Sequence, residues 1–181
     1  MSDLILALII CPLAGATLKL SDTMSERQTN STICFSASGI SGFLIGSLIS
    51  FDAFSSAMFS GIIAGVILAG KVDRPCLKFG LIVTALTTWL LGPETPAILP
   101  LLFTISASFA DEIGHDRHLR TGRFSKFFEY RCVLKLTIIL LWLLRIIPLH
   151  SLGMFFLFDL AYDLSSRILD LKDNAKPHEA E

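Results

Sequence analysis

The sequence predicts an all-α, polytopic transmembrane helix bundle, and three observations predict it. The 181 residues are 52% hydrophobic and only 17% charged, with a mean hydropathy of +0.66. The apolar residues gather into runs of near-membrane length, and the charged residues gather between those runs. No ordinary soluble domain of this size needs so much apolar surface. A transmembrane helix takes roughly 20 predominantly apolar residues, so the chain has room for five to seven membrane segments, six or seven being expected, and little else. One domain is expected over 1–165, followed by a short charged cytoplasmic tail over 166–181.

The runs are 4–18, 33–49, 53–69, 79–91, 97–110, 133–149 and 152–164. All are read as helices, because lipid leaves the backbone groups of a lone strand unpaired. The first run ends in small residues, as a secretory signal does, but Asp3 stands where such a signal is basic, so it is kept as a span. The second and third form a hairpin carrying Gly42, Gly46, Gly61 and Gly65. This small-xxx-small spacing lets helix backbones approach, and the two pairs are expected to face each other. The fourth and fifth runs are short and meet at Gly92-Pro93-Glu94-Thr95-Pro96. They are two spans or a re-entrant pair, and in either case the chain returns to the side it left.

Charge fixes the orientation. The separators 19–31, 71–78, 111–132 and the segment from 165 hold 13 of the 15 basic residues. The separators 50–52, 92–96 and 148–151 are tight turns with no Lys or Arg. The positive-inside rule therefore puts the N-terminus outside and the charged loops and C-terminus in the cytoplasm. Cys11, Cys34, Cys76 and Cys132 are scattered without a CxxC pair, which gives neither a zinc pattern nor a disulfide framework. Two are expected in lipid and two at a reducing face.

The two remaining basic residues, Lys135 and Arg145, lie in the sixth run, and Asp159 and Asp163 lie one helical turn apart in the seventh. Charge in lipid is costly and marks a site or a pairing. The carboxylates have the spacing to share a divalent cation. Charge pairing across a hairpin turning near His150 accounts for all four, since Lys135 and Asp163 then differ by only about 3 Å in depth and Arg145 and Asp159 by about 6 Å. A second cluster follows the fifth run: Asp111, Glu112, His115 and Asp116, then Arg117, Arg120 and Arg123. Carboxylates can hold Mg²⁺ while arginines fork onto phosphate oxygens, so this mixture suits a phosphorylated headgroup, although an interfacial loop binding anionic lipid has the same composition. Lys71 and Asp73 lie on the same face. The stretch 65–71 has the spacing of a phosphate-binding loop, but Val72 replaces the metal-binding hydroxyl and no strand precedes it.

The acidic stretch from Asp111 and the stretch from Asp159 each resemble the aspartate motifs of the UbiA-type intramembrane prenyltransferases, a resemblance that implies Mg²⁺ and a prenyl diphosphate. The motifs stand in the opposite order here, Phe158 replaces the leading Asn, and the chain is too short for nine spans. In size and span count it is also similar to the CDP-alcohol phosphotransferases. Asp159 and Asp163 have neither the spacing nor the Gly of that signature. Membership of neither family follows.

The expected function is action on a phosphorylated prenyl or glycero lipid at a cytoplasmic divalent-metal site, as a metal-dependent transferase or phosphohydrolase. Asp111, Glu112, His115 and Asp116 are the catalytic candidates. Asp111, Asp116, Asp159 and Asp163 are the Mg²⁺ candidates, and Lys71, Arg117, Arg120 and Arg123 the phosphate binders. The expected partners are membrane lipids and not nucleic acid. The alternatives are a small ion- or proton-coupled transporter, with Lys135, Arg145, Asp159 and Asp163 as a relay, and a non-catalytic membrane scaffold. A relay needs titratable groups at several depths, whereas an enzyme needs them gathered at one interface.

Overall fold

The computed structural model describes residues 2–27, 31–118 and 131–174; for residues 2, 3, 116–118, 170 and 172–174 it describes the backbone alone. Seven helices and no strands occur among the described residues: α1 (Ser2–Glu26), α2 (Ser31–Ile49), α3 (Ala53–Leu68), α4 (Pro75–Leu91), α5 (Ile98–His118), α6 (Cys132–Leu143) and α7 (Leu149–Asn174). Leu4–Glu26 and Ser31–Ile49 are long and apolar enough to cross a membrane, and α3, α4 and α6 are shorter apolar helices.

Local chemistry sets the helix ends. Asp52 caps α3, its Oδ1 accepting from the N–H groups of Phe54 and Ser55 at 2.7 and 3.0 Å, which satisfies donors the helix itself cannot. Pro75 opens α4, where its missing N–H costs nothing. Gly92 closes α4 at φ +88°, a conformation that a side chain resists. No breaker stops α5 at Ala110, so the acidic stretch expected as a loop continues as helix to His118. Likewise α7 runs past residue 165 to Asn174.

The small faces do not pair within the α2–α3 hairpin as expected. Gly42 lies against Gly80 and Val83 of α4, and a Cβ on Gly46 would stand 2.7 Å from the Thr87 Cβ. A Cβ on Gly61 or Gly65 would stand 2.8 and 2.6 Å from the Cβ atoms of Thr104 and Ser108 on α5. The reason is steric complementarity: α4 and α5 offer Gly, Thr and Ser where α2 and α3 offer Gly, so the backbones close to contact. The second hairpin thus lies along the first, α4 on α2 and α5 on α3, while the backbones of α4 and α5 do not pack closely on each other among the described residues. On the other flank α1 packs between α2 and α7, and α6 packs on α5. Phe59, Met154, Phe155 and Phe158 fill the junction, with Phe59 and Phe158 edge to face at 5.5 Å.

The two ends of the bundle differ in kind. At one end the tight turns are stitched together: Ala97 N–H donates to the Ala53 carbonyl at 3.0 Å, Ser56 Oγ to that of Glu94 at 3.0 Å, and His150 Nε2 lies 3.6 Å from Asp52 Oδ2. Arg145, expected inside a span opposite Asp159, lies instead in the turn after α6 at φ +57°, with its side chain exposed. Helix α6 ends at Leu143, before that residue is reached. The charged separators meet at the other end.

Candidate functional site

The charged end encloses a cavity of about 730 Å³. Its lining mixes apolar side chains, Leu18, Ile45, Ile62, Ile63, Val66 and Leu81, with the hydroxyls of Ser38, Ser41 and Thr84. Its rim carries five cations, Lys19, Lys71, Arg74, Arg131 and Arg167, and six carboxylates, Asp22, Glu26, Asp73, Asp111, Glu112 and Asp163, with His115 among them. Five segments distant in sequence supply these groups. Two of them are the acidic stretches from Asp111 and Asp159, which converge here through Asp111, Glu112, His115 and Asp163.

The rim is ordered by one interlocked set of contacts. The N-cap of α6 is Arg131, which takes the left-handed conformation (φ +48°) and offers no side-chain cap. Asp111, 2% exposed, reaches across from α5 to do so. Its Oδ1 accepts from Val133 N–H at 3.1 Å and its Oδ2 from Leu134 N–H at 2.7 Å. An anion at a helix N-terminus also complements the helix dipole. Glu112, the next residue, pairs with Arg131 at 2.9 Å. The Arg131 guanidinium and the Lys19 ammonium lie 5.0 and 5.1 Å from the centre of the Tyr162 ring, within cation–π range. The Tyr162 hydroxyl donates to Asp22 Oδ2 at 2.9 Å, and Asp22 lies 3.5 Å from Lys19. Burial opposes the charge of Arg131, but Tyr162, Glu112, Asp22 and Asp159 outweigh it and hold the guanidinium above its ordinary value. The left-handed residue is thereby fixed by its own side chain.

Behind this rim, Lys135 Nζ lies 2.9 Å from Asp159 Oδ2 and 3.1 Å from Asp163 Oδ2. The expected Lys135–Asp163 pair is present, and Asp159, matched in sequence to Arg145, shares the same ammonium. Lys135 stands in the first turn of α6, so the triad belongs to the charged end of the bundle and adjoins the cavity.

Of the sequence-derived candidates, Asp111, Glu112, His115, Lys71 and Asp163 line the cavity, and Asp159 sits one contact behind it. The side chains of Asp116 and Arg117, and the whole of Arg120 and Arg123, lie outside the described residues. Among the described residues no three His, Cys, Asp or Glu side chains form a group that could hold a metal ion. Sequence reasoning does not single out Lys19, Asp22, Arg131 or Tyr162. The Tyr in Asp159-Leu-Ala-Tyr162-Asp163 and the Lys19/Asp22 spacing of three are the available signals. The cysteine expectation is corrected as well: Cys34 and Cys76 are joined in a disulfide, 42 residues apart, across the starts of α2 and α4. No spacing rule finds a bridge that tertiary packing creates. No protein-family model, curated protein or solved structure matches the chain.

Proposed function

We propose that this chain is a multi-pass protein of the cell membrane, its charged end cytoplasmic, and that its cavity takes the headgroup of a phosphorylated lipid. One observation carries the reading: a single cavity brings charge of both signs together with a set of apolar side chains, the two kinds of lining that an amphiphile needs. The outer surface supports the membrane assignment. Leu6, Ile9 and Leu13 on α1, Ile82, Leu86 and Trp89 on α4, and Leu136 and Leu140 on α6 recur every three or four residues and are exposed, while the interior holds hydroxyls such as Ser38, Ser41, Thr104 and Ser108. That is the arrangement a lipid solvent selects. Most of the charged groups lie at one end, with Asp52, Glu94, Arg145 and His150 at the other, and this concentration favours a headgroup site over a relay across the midplane.

The balance of charge refines the ligand. With six carboxylates beside five cations, a bare anion meets as much repulsion as attraction, whereas a phosphate accompanied by Mg²⁺ satisfies both. Mg²⁺ is commonly held by one or two carboxylates plus substrate phosphates, so it is expected to enter with the ligand, as metal-dependent transfer or hydrolysis of a phosphorylated lipid would require.

Two experiments test this. For orientation, Thr95→Cys should react with a membrane-impermeant maleimide in intact cells and Asp73→Cys should not; the reverse pattern would overturn the topology. For the ligand, detergent-purified protein should be stabilised by a short-chain phosphatidic acid more than by the matching diacylglycerol, with Mg²⁺ adding to the effect. Saturation at roughly a hundredfold over Kd corresponds to about 2.7 kcal/mol. Lys71→Ala combined with Arg167→Ala should weaken the response to phosphate. Equal stabilisation by both lipids removes the headgroup reading.

A further inference from the structure

We propose that Cys34 and Cys76 form a thiol–disulfide exchange site that accepts a small thiol of the glutathione class. Cys34 lies near the start of α2 and Cys76 in the first turn of α4, and both are buried, at 4% and 5% exposure. Burial does not seal the bond, because both sulfur-bearing residues line a second pocket of about 310 Å³ with Met24, Ser25, Ser31 and Arg74. A thiol on a narrow stem can reach it there.

The surroundings suit both oxidation states. Closed, the bond fastens α4, just beyond the 71–74 segment of the cavity rim, to α2. Open, the Cys34 thiol has an acceptor in place, the Ser21 carbonyl 3.4 Å from its Sγ, and the released partner lies early in α4 beside Arg74. Helix N-termini and neighbouring cations stabilise thiolates and so make better leaving groups. Edge-to-face packing of Phe35 on Phe79 at 5.6 Å, together with the close contact of Gly80 with Ser38, holds α2 to α4 without the bond. The dithiol form therefore keeps its geometry and can close again.

The chemistry is two exchanges. A glutathione thiolate attacks one sulfur, the Cys34–Cys76 bond breaks, and a mixed disulfide forms as the other cysteine leaves as thiolate and takes a proton. A second glutathione thiolate attacks the mixed disulfide, frees the first cysteine, and leaves as glutathione disulfide. Two thiols are oxidised and one protein disulfide is reduced, and glutathione disulfide drives the reverse. The proposal rests on the cytoplasmic placement of the charged end, where this thiol pool is reducing.

The test uses membranes containing the full chain with Cys11→Ala and Cys132→Ala, so that only Cys34 and Cys76 remain. Samples equilibrated across ratios of reduced to oxidised glutathione are acid-quenched, denatured and tagged with a polyethylene-glycol maleimide. The chain should carry no tag in the oxidised buffers and two in the reduced ones, with the same transition reached from either direction. The single variants Cys34→Ser and Cys76→Ser should each trap a glutathione adduct, detected by mass. Peptide mapping of the unsubstituted chain gives the same readout should the Ala variants fail to accumulate. A bond that stays closed at every ratio until the protein is denatured would overturn the proposal, and so would two cysteines that never join. Should the bond stay closed, the Thr95 and Asp73 labelling separates a sealed disulfide on the cytoplasmic side from a charged end facing an oxidising compartment.

Discussion

Replacing Lys135 by leucine is expected to be among the most damaging single changes to this fold, costing about 3–5 kcal/mol, because it strands two half-buried carboxylates a helical turn apart. Asp159 and Asp163 both lie within 3.1 Å of the Lys135 ammonium, and their side chains are 12% and 31% exposed. Without the cation they repel each other, and the burial of Asp159 limits how far water can screen that repulsion. The converse changes are unequal. Asp163→Asn leaves Lys135 paired with Asp159 and should cost little, about the 1 kcal/mol of a partly exposed pair. Asp159→Asn removes the more buried partner and should cost more. A change in both carboxylates alone would strand the lysine. The decisive variant is therefore Lys135→Leu with Asp159→Asn and Asp163→Asn, which removes all three charges and should recover most of the loss. Folded yield and Tm in detergent give the measurement. A triple variant no better than Lys135→Leu would mean that packing, not charge, makes Lys135 important.

This triad also shows what was and was not legible in the sequence. Counting rise per residue from a turn near His150 places Lys135 level with Asp163, since both quantities are local and linear. The same counting pairs Arg145 with Asp159 and fails there, because it assumes continuous helix through Arg145, whereas α6 ends at Leu143 and the chain turns. The positions of the runs follow from hydropathy and agree closely with α2, α3 and α4, whereas α1, α5 and α7 continue as helix past the last apolar residue and α6 ends at Leu143, before its run does. Gly42, Gly46, Gly61 and Gly65 announce close helix contacts but not the partners, since small-xxx-small spacing carries no address. The site divides similarly. The acidic and basic candidates stand out because charge is rare in this chain. Tyr162 and Asp22 do not, because each acquires meaning only from a contact 140 residues away in sequence.

Asp111 draws the sharpest contrast between a chemical and an architectural role, and Asp111→Ala is expected to cost about 2–4 kcal/mol whether or not a metal is present. Its carboxylate is 2% exposed and accepts the Val133 and Leu134 N–H groups. Alanine leaves those two donors at the buried start of α6 without an acceptor and loosens the segment that holds Arg131 over Tyr162. Asp111→Asn keeps one oxygen acceptor but turns an amide donor toward the other N–H, so its cost should be smaller and still measurable. A ligand of Mg²⁺ behaves differently: its loss would abolish the stabilisation by metal while leaving the metal-free protein nearly unchanged. Melting curves of parent, Asp111→Ala and Asp111→Asn in chelator, and again in Mg²⁺ with a short-chain phosphatidic acid, separate the two. Parallel shifts in both conditions are expected, because the cap is needed before any ligand arrives. A variant as stable as the parent in chelator but unresponsive to Mg²⁺ would return Asp111 to the metal and take the capping role away.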